Sequence, residues 1–155
     1  MKMVFAGSFD PVTKGHMNII SRILPLCDTL YVALLNNESK KGYFSKEQRL
    51  SMLKKACEGF PGVVVESYDG LLKDYCLERG IQVSVRGVRN TRDFEYEKDM
   101  AEMNARIGGP ETLLIYADPN LASVSSSAVR ELISFGEDVT EFLPDGVVFE
   151  QKKIL

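Results

Sequence analysis

One segment near the start of the chain holds a serine, two glycines and the only histidine of the sequence. The segment is Gly7-Ser8-Phe9-Asp10-Pro11-Val12-Thr13-Lys14-Gly15-His16, and it follows the apolar run Met3-Val4-Phe5-Ala6. In α/β proteins, a small-residue turn between the first strand and a helix binds phosphates, because free backbone N–H groups converge there. The segment therefore predicts a nucleotide site.

His16 has two possible roles. As a structural residue, it would only satisfy the first turn of the helix that follows. As a binding residue, it stands beside a glycine at the positive end of a helix dipole, where a ring nitrogen can donate to a phosphate oxygen. Because the same dipole disfavours the imidazolium form, we expect a hydrogen-bond donor and not a general base.

Three further polar clusters are predicted at the carboxyl ends of strands. Lys40 follows the second predicted strand, residues 86–89 follow the fourth and residues 123–127 follow the fifth. Ligands of open α/β sheets bind at this edge, so these clusters can share one ligand with the segment that holds His16. The coincidence of four clusters at one edge favours a functional interpretation.

Each cluster also has an ordinary structural explanation. The lysines at 40–41 can be a solvated pair, and the serines at 125–127 can cap a helix. Arg86 can form an ion pair, for which the candidate partners are Asp93, Glu95 and Glu97. As a binding group, Arg86 offers a fork of donors beside Gly87, where no side chain blocks a phosphate. Three hydroxyls followed by Arg130 exceed what a cap requires and would hold phosphates.

Short apolar runs rich in β-branched residues alternate with longer helical patterns along the chain, which is typical of a parallel sheet covered on both faces. The sequence predicts an α/β fold: a single domain over residues 1–155 with a doubly wound, Rossmann-like parallel sheet of five strands and helices on both faces. The predicted strands are 2–6, 29–35, 63–67, 82–85 and 112–117.

Helix signals fill the intervals between these strands. Apolar spacing predicts a helix over 17–24, which Pro25 interrupts. Capping residues and glycines predict four further helices. One begins at Ser45, and the others cover 71–79, 93–107 and 125–135. Pro144 is predicted to start a last helical piece.

Composition restricts the possible partners. A net charge of −3 and a pI near 5.3 argue against a nucleic-acid partner, which normally requires a basic face. Cys27, Cys57 and Cys76 lack metal-ligand spacing and are expected to be buried thiols in a reducing compartment. Neither a leader peptide nor a bilayer-length apolar stretch is present, so we expect a cytoplasmic protein without a membrane partner.

Several common catalytic motifs are missing from the sequence. It contains no P-loop, no Gly-x-Gly-x-x-Gly, no serine elbow and no cysteine–histidine pair, which disfavours kinases, dehydrogenases and hydrolases. A single histidine rules out a three-histidine metal site. A divalent ion such as Mg²⁺ would be held mainly by substrate phosphates and water, with no protein ligand predicted.

The segment from Gly7 to His16 resembles the signature of the nucleotidylyltransferase superfamily, in its bacterial phosphopantetheine adenylyltransferase branch. Four further motifs resemble that branch specifically, and the resemblance covers nearly the whole chain. They are Asp69-Gly70-Leu71-Leu72, Arg86-Gly87-Val88-Arg89, Asp93-Phe94-Glu95-Tyr96-Glu97 and Ser125-Ser126-Ser127.

The resemblance implies reversible transfer of the adenylyl group of ATP to 4′-phosphopantetheine, which gives dephospho-coenzyme A and pyrophosphate in coenzyme A synthesis. It implies direct in-line attack of the acceptor phosphate on the α-phosphorus. The catalytic residues it implies are His16, Ser8, Lys40 and Arg89. The acceptor would contact Ser8, Lys40, Leu72 and Arg86. The ATP-binding residues it implies are Ser8, Phe9, His16, Gly87, Val88, Arg89, Glu97, Leu121, Ala122, Ser123, Val124, Ser125, Ser126 and Ser127.

Some positions depart from the usual family pattern. Ser8 replaces a common threonine and keeps the hydroxyl, whereas Ala6 and residues 37–38 stand where proline is frequent, which alters loop stiffness. Leu121 stands where some members have tryptophan, so the adenine contact there is open. The family also implies a homohexamer built from trimers, with coenzyme A as a possible feedback ligand.

The sequence leaves two other functions open. The histidine motif does not choose the acceptor, so nicotinate mononucleotide or, with cytidylyl transfer, glycerol phosphate are alternatives. The same fold could also serve as a non-catalytic nucleotide sensor, because a phosphate site does not prove turnover. A third interpretation is an ordinary α/β protein in which the polar clusters are only helix caps and ion pairs. It does not explain why the four clusters share one edge of the sheet.

Overall fold

Five parallel strands form one sheet in the computed structural model, which describes residues 1–150. The strands are β1 (Lys2–Gly7), β2 (Thr29–Asn36), β3 (Val63–Asp69), β4 (Val83–Val88) and β5 (Glu111–Tyr116). Their order in the sheet is β3-β2-β1-β4-β5, with all neighbours parallel. This confirms the predicted doubly wound α/β architecture.

Five α-helices connect or follow these strands. They are α1 (Lys14–Ile23), α2 (Lys46–Cys57), α3 (Leu72–Arg79), α4 (Thr91–Arg106) and α5 (Ser126–Ser134). Short 3₁₀ helices cover Leu24–Leu26, Pro119–Leu121 and Thr140–Phe142. The first of these contains Pro25, so the proline ends the regular α-helix as predicted.

Local capping signals fix several helix ends. The Ser45 hydroxyl accepts from the Gln48 N–H at 3.1 Å, and the Gln48 side chain accepts from the Ser45 N–H at 3.0 Å, which is the predicted capping box. Gly80 ends α3 in the left-handed conformation, with φ of 66°. These ends were predictable because each depends only on residues a few positions apart.

Side chains alternate between two apolar layers, one on each face of the sheet. Helices α1, α2 and α5 cover the larger layer, which includes Phe5, Val32 and Val85 from the strands. Helix α3 packs on the opposite face, where Val4, Ala33 and Tyr75 belong to the smaller layer. Helices on both faces agree with the prediction.

The strand order creates a crevice beside β1. From β1 the chain moves outward through β2 to β3, then returns to place β4 on the other side of β1. The connections therefore leave the carboxyl ends of β1 and β4 in opposite directions, and this switch point is where open α/β sheets bind ligands.

Three sequence predictions need correction. Arg86, Gly87 and Val88 lie within β4 and not after it, because the strand continues in register with β5 as far as Val88, and Glu97 neutralises the arginine. Pro144 starts no helix: its carbonyl accepts the Val147 N–H in a turn, and the helical piece at 140–142 ends before it. Cys27 is half-buried, unlike the other two cysteines.

No helix within residues 1–150 is long and apolar enough to cross a membrane.

Candidate functional site

A cavity of about 330 Å³ lies at the switch point, beyond the carboxyl ends of β1 and β4. Most of the predicted site residues line it. These are Ser8, Phe9, His16, Arg86, Gly87, Arg89, Glu97, Leu121, Val124, Ser125, Ser126 and Ser127. Three of the four predicted clusters therefore contribute to one cavity, and the fourth, at Lys40, does not.

The turn from β1 to α1 forms one wall of this cavity. Phe9 adopts a left-handed backbone with φ of 43° and is only 2% exposed. Its ring packs edge-on against Phe5 and His16, with centroids 5.6 and 4.9 Å apart. Because this ring is buried, any ligand contact at Phe9 would use its backbone and not its side chain.

The His16 imidazole is held by a reciprocal cap at the start of α1. The Thr13 N–H donates to Nδ1 at 3.0 Å, and the Thr13 hydroxyl accepts from the His16 N–H at 3.4 Å. Since a backbone N–H can only donate, Nδ1 is the acceptor. The neutral ring therefore carries its proton on Nε2, and this nitrogen can donate a hydrogen bond to a ligand in the cavity.

His16 is neutral at physiological pH. Burial, followed by the positive charges of Arg86 and Arg89, lowers the pKa of His16 from 6.5 to about 4. Near neutral pH the ring carries its proton on Nε2, and its Nδ1 is occupied by the Thr13 N–H, so neither nitrogen is available as a base. The geometry therefore supports donation, as predicted from the sequence, and does not support general base catalysis.

Two ion pairs position the arginines of the site. Arg86 donates from Nε and Nη2 to the two Glu97 carboxylate oxygens at 2.9 and 2.8 Å, and it also donates to the Ala6 carbonyl. Arg89 donates from Nε to Asp93 at 3.0 Å. Glu97 is thus the partner among the three candidates for Arg86, which fixes the guanidinium at the end of the crevice.

The N-terminus of α5 forms the opposite wall. Ser125 caps the helix by accepting from the Ala128 N–H at 3.1 Å, and Ser126 donates to the Pro11 carbonyl at 2.8 Å. The Ser127 hydroxyl accepts from Arg130 at 3.1 Å. All three hydroxyls therefore have protein partners, and the cap is only part of their role.

Two helix starts face this cavity with backbone donors. Among the hydrogen bonds of residues 1–150, none uses the N–H groups of Ser126 and Ser127 in the first turn of α5. Helix α1 starts beside this turn, where a Cβ on Gly15 would lie only 3.4 Å from the Val124 carbonyl oxygen. Unused N–H groups at a helix N-terminus form an anion site.

Five of the predicted site residues do not line this cavity. Lys40 lies in the loop between β2 and α2 and lines a separate, open cavity of about 400 Å³. The others are Leu72, Val88, Ala122 and Ser123, of which Val88 is buried inside β4. The structure therefore does not bring Lys40 into the set that surrounds His16.

Other residues line the cavity without having been predicted. They include Thr13, Gly15, Ile19, Asp93 and Ala117. The Thr13 spacing to His16 matches a capping box, but the usual box ends in Glu or Gln, so the pattern is not obvious in the sequence. Arg130, predicted from the sequence to bind phosphate together with the three serines, lines the cavity as well, and its Nη1 donates to the Asp10 carbonyl at 2.7 Å.

The charge of the lining suits an anion and not a bare cation. Three arginines and two acidic residues line the cavity, and both carboxylates, Asp93 and Glu97, are paired with arginine. Within residues 1–150, no group of three His, Cys, Asp or Glu side chains is arranged to hold a metal ion. A divalent ion that arrives with a polyphosphate would suit this lining, because the phosphates supply its ligands.

Comparison with known proteins identifies the family. The Cytidylyltransferase-like family matches residues 4–132. A phosphopantetheine adenylyltransferase of Porphyromonas gingivalis is 44% identical over 95% of this chain and 96% of its own length. The Phocaeicola vulgatus and Streptomyces coelicolor enzymes of that name are 42% and 43% identical, over 94% and 92% of this chain and 97% and 90% of their own lengths. The chain belongs to the phosphopantetheine adenylyltransferase family.

A solved structure shares the fold of this family member. The crystal structure of a bifunctional NMN adenylyltransferase/ADP ribose pyrophosphatase from Francisella tularensis matches with a TM-score of 0.68. The match covers 93% of this chain and 45% of the other, at 17% identity. At that identity the likeness concerns the fold alone, and it agrees with the observed α/β topology.

Proposed function

We propose that this protein transfers the adenylyl group of ATP to 4′-phosphopantetheine and releases pyrophosphate, forming dephospho-coenzyme A in coenzyme A synthesis. One observation carries the proposal beyond family membership. The starts of α1 and α5, the Nε2 donor of His16 and three arginines all surround one cavity at the switch point of the sheet. This arrangement suits a polyphosphate that is held at several oxygens at once.

The reaction needs orientation more than proton transfer. The acceptor phosphate is already a nucleophile at neutral pH, so no residue must remove a proton from it. Holding two polyanions in line at the α-phosphorus can contribute up to about 7–11 kcal/mol to lowering the barrier. Arg86 and Arg89 would offset the repulsion between the two polyanions. Lys40 would approach them from the loop between β2 and α2.

His16 and Ser8 act on the charge that develops during the transfer. As the acceptor oxygen approaches, negative charge accumulates on the non-bridging oxygens of the α-phosphate. The His16 Nε2–H and the exposed Ser8 hydroxyl would donate to these oxygens, more strongly in the transition state than in the ground state. A donor that is already fixed by Thr13 needs no reorganisation when the charge appears.

We assign binding roles to the remaining predicted residues on the same basis. Gly87 and Arg89, Glu97 and the stretch 121–127 would surround ATP, while Arg86 would face the acceptor phosphate. Leu72 at the start of α3 would contact the pantetheine arm. Mg²⁺ would neutralise phosphate charge, held by ATP oxygens and water and by no residue of the chain.

Coenzyme A and further copies of this chain are the partners that we propose beside the substrates. Coenzyme A differs from dephospho-coenzyme A by one phosphate, so it would compete for the same site as a feedback ligand. We infer a homohexamer from the family. Helix α4 supports self-association in general, because its one buried residue is Glu97 and its apolar side chains stay exposed within residues 1–150. We also propose a cytoplasmic location, where the substrates of coenzyme A synthesis would be met.

Acceptor competition tests the proposed activity. Purified protein with ATP and Mg²⁺ is given 4′-phosphopantetheine, nicotinate mononucleotide or glycerol phosphate, and pyrophosphate release is measured. A parallel assay with CTP covers cytidylyl transfer. We expect release with ATP and 4′-phosphopantetheine only.

Two results would contradict this expectation. Release with another acceptor would keep the nucleotidyl transfer but replace the substrate. ATP binding without release, with any of the three acceptors, would instead support a nucleotide sensor on the same fold. An active site with only weak ATP binding would show the same absence of release, so binding is measured alongside by calorimetry.

A further inference from the structure

The Asp10 side chain joins the turn after β1 to a distant loop. Its carboxylate accepts from the Tyr43 N–H at 2.8 Å through Oδ2 and from the Phe44 N–H at 2.9 Å through Oδ1. Asp10 is only 7% exposed. A buried carboxylate costs free energy unless it is hydrogen-bonded, and here the backbone of one loop satisfies both oxygens.

Arg49 of α2 makes a second link to the same turn. Its Nη1 donates to the Ser8 carbonyl at 3.1 Å, and the side chain is 6% exposed. Beside its Nε lies Gly42, where an added Cβ would be 2.9 Å from the Phe44 carbonyl oxygen and 3.2 Å from Asp10 Oδ2. The loop can therefore pass this close to the turn only because residue 42 has no side chain.

Lys40 belongs to the loop that Asp10 holds. It stands three residues before Tyr43, and its N–H donates to the Asn37 carbonyl at 3.0 Å. At the other end of the loop, β2 ends at Asn36, whose side-chain amide donates to Asp69 at 2.7 Å. With both ends of the loop fixed, the region that the Lys40 ammonium can reach is restricted.

We propose that Asp10 is a positioning residue that holds the Lys40 loop against the turn after β1 and thereby sets where the Lys40 ammonium meets the substrates. The inference rests on the proposed role of Lys40 in the transfer. Asp10 does not line the cavity that holds His16, and both its carboxylate oxygens face backbone N–H groups. Its effect on turnover therefore passes through the loop.

Hydrogen exchange tests the contact without any assay of activity. In Asp10→Asn one carboxylate oxygen becomes an NH₂ group, which faces an N–H donor and cannot accept from it. The amide that is left facing the NH₂ group, that of Tyr43 or Phe44, is expected to exchange at least about tenfold faster than in the wild type, whereas the other keeps the remaining oxygen as its acceptor. The matched control is Asp145→Asn, the same change at an exposed position, which should leave these rates unchanged. Unchanged exchange in Asp10→Asn would overturn the proposal.

A double-mutant cycle tests the link to Lys40. Asp10→Asn should lower kcat at least about tenfold in the wild-type background and much less in a Lys40→Met background, because the group it positions is then gone. Equal losses in both backgrounds would overturn the positioning role. Normal turnover of Lys40→Met alone would refute the proposed role of Lys40, whereas the exchange rates would still report on the loop contact.

A second variant covers the case in which Asp10→Asn does not fold. Gly42→Ala leaves the carboxylate intact and displaces the loop, because its Cβ would clash with the Phe44 carbonyl. We expect the same dependence on Lys40 for its loss of turnover. A Gly42→Ala protein with wild-type kcat and wild-type exchange at Tyr43 would overturn the proposal.

Discussion

At the scale of single residues, the backbone that precedes His16 selects one tautomer of its ring. The hydrogen bond from the Thr13 N–H to Nδ1 leaves the proton on Nε2. Burial and two nearby guanidinium groups then keep the ring uncharged. A residue that is usually a base near neutral pH is thus converted into a fixed, neutral donor.

The titration of His16 follows from this environment. Since the chain has one histidine, its C2 proton gives a single resonance in NMR, and we expect a midpoint near pH 4. An exposed histidine would titrate near pH 6.5. The ¹⁵N shifts should also show the proton on Nε2. A midpoint near 6.5, or a proton on Nδ1, would contradict the geometry.

The lowered pKa of His16 also gives stability a pH dependence. Between about pH 6.5 and pH 4 the unfolded chain binds a proton at this residue and the folded chain does not. Protonation therefore favours unfolding in this range, so the contribution is complete above pH 6.5 and is lost as the pH falls to about 4. The stability of His16→Ala, measured with urea, should fall less over this interval than that of the wild type.

Removing the His16 donor should slow the transfer itself. We expect His16→Ala to lower kcat by roughly a hundred- to a thousandfold, as for other preorganised donors, with a smaller change in the KM for ATP. His16→Gln, which keeps an N–H donor, should retain more activity. A folded His16→Ala protein with normal turnover would remove this residue from the mechanism.

At the scale of secondary structure, one ion pair joins helix α4 to the sheet. Glu97 is the only buried residue of α4, and both its oxygens accept from Arg86 of β4. Strand β4 can place Arg86 in the crevice because the Glu97 carboxylate neutralises the guanidinium charge there. The pair therefore orients a predicted binding residue and also attaches the helix that supplies the carboxylate.

Loss of this carboxylate should destabilise the fold. Glu97→Ala leaves the half-buried Arg86 without its main partner, and we expect a decrease of about 1–3 kcal/mol in the free energy of unfolding. Glu102→Ala is the matched control, because it removes only an exposed pair with Lys98 on the same helix. That pair should contribute less than about 1 kcal/mol. Equal decreases in the two variants, measured by urea denaturation, would contradict the proposed attachment.

The sequence predicted the secondary structure where the signals are local, and it failed where contacts between distant residues decide. Strands and helix ends were predictable because their signals are local, as in the capping box that starts α2 at Ser45. The extent of β4 was not, because Arg86 and Gly87 continue the strand through their pairing with β5, and the carboxylate that neutralises Arg86 belongs to α4. Lys40 was assigned to the site from its place after β2, but which way its loop turns depends on the contact with Asp10, 30 positions earlier.

At the scale of the whole molecule, helix α4 carries an apolar stripe that the described chain leaves uncovered. Tyr96, Met100 and Met103 of α4 and Ile107, its C-terminal cap residue, are spaced three to four residues apart and are 61%, 41%, 57% and 41% exposed. Residues at this spacing share one helix face. A contiguous exposed apolar face on a long helix is typical of a surface that another protein covers, and the proposed homohexamer supplies further copies of this chain.

Self-association through this stripe can be tested with one charge. We expect the wild-type protein to have the mass of an oligomer in light scattering after gel filtration, and Met103→Glu to give a smaller species, because association would bury the carboxylate in an apolar contact. The matched control is Leu77→Glu, which is 82% exposed and belongs to a different helix, α3, and it should keep the wild-type mass. Circular dichroism shows whether each variant is folded. A monomeric wild-type protein would refute the assembly, whereas an unchanged mass for folded Met103→Glu would place the contact elsewhere on the surface.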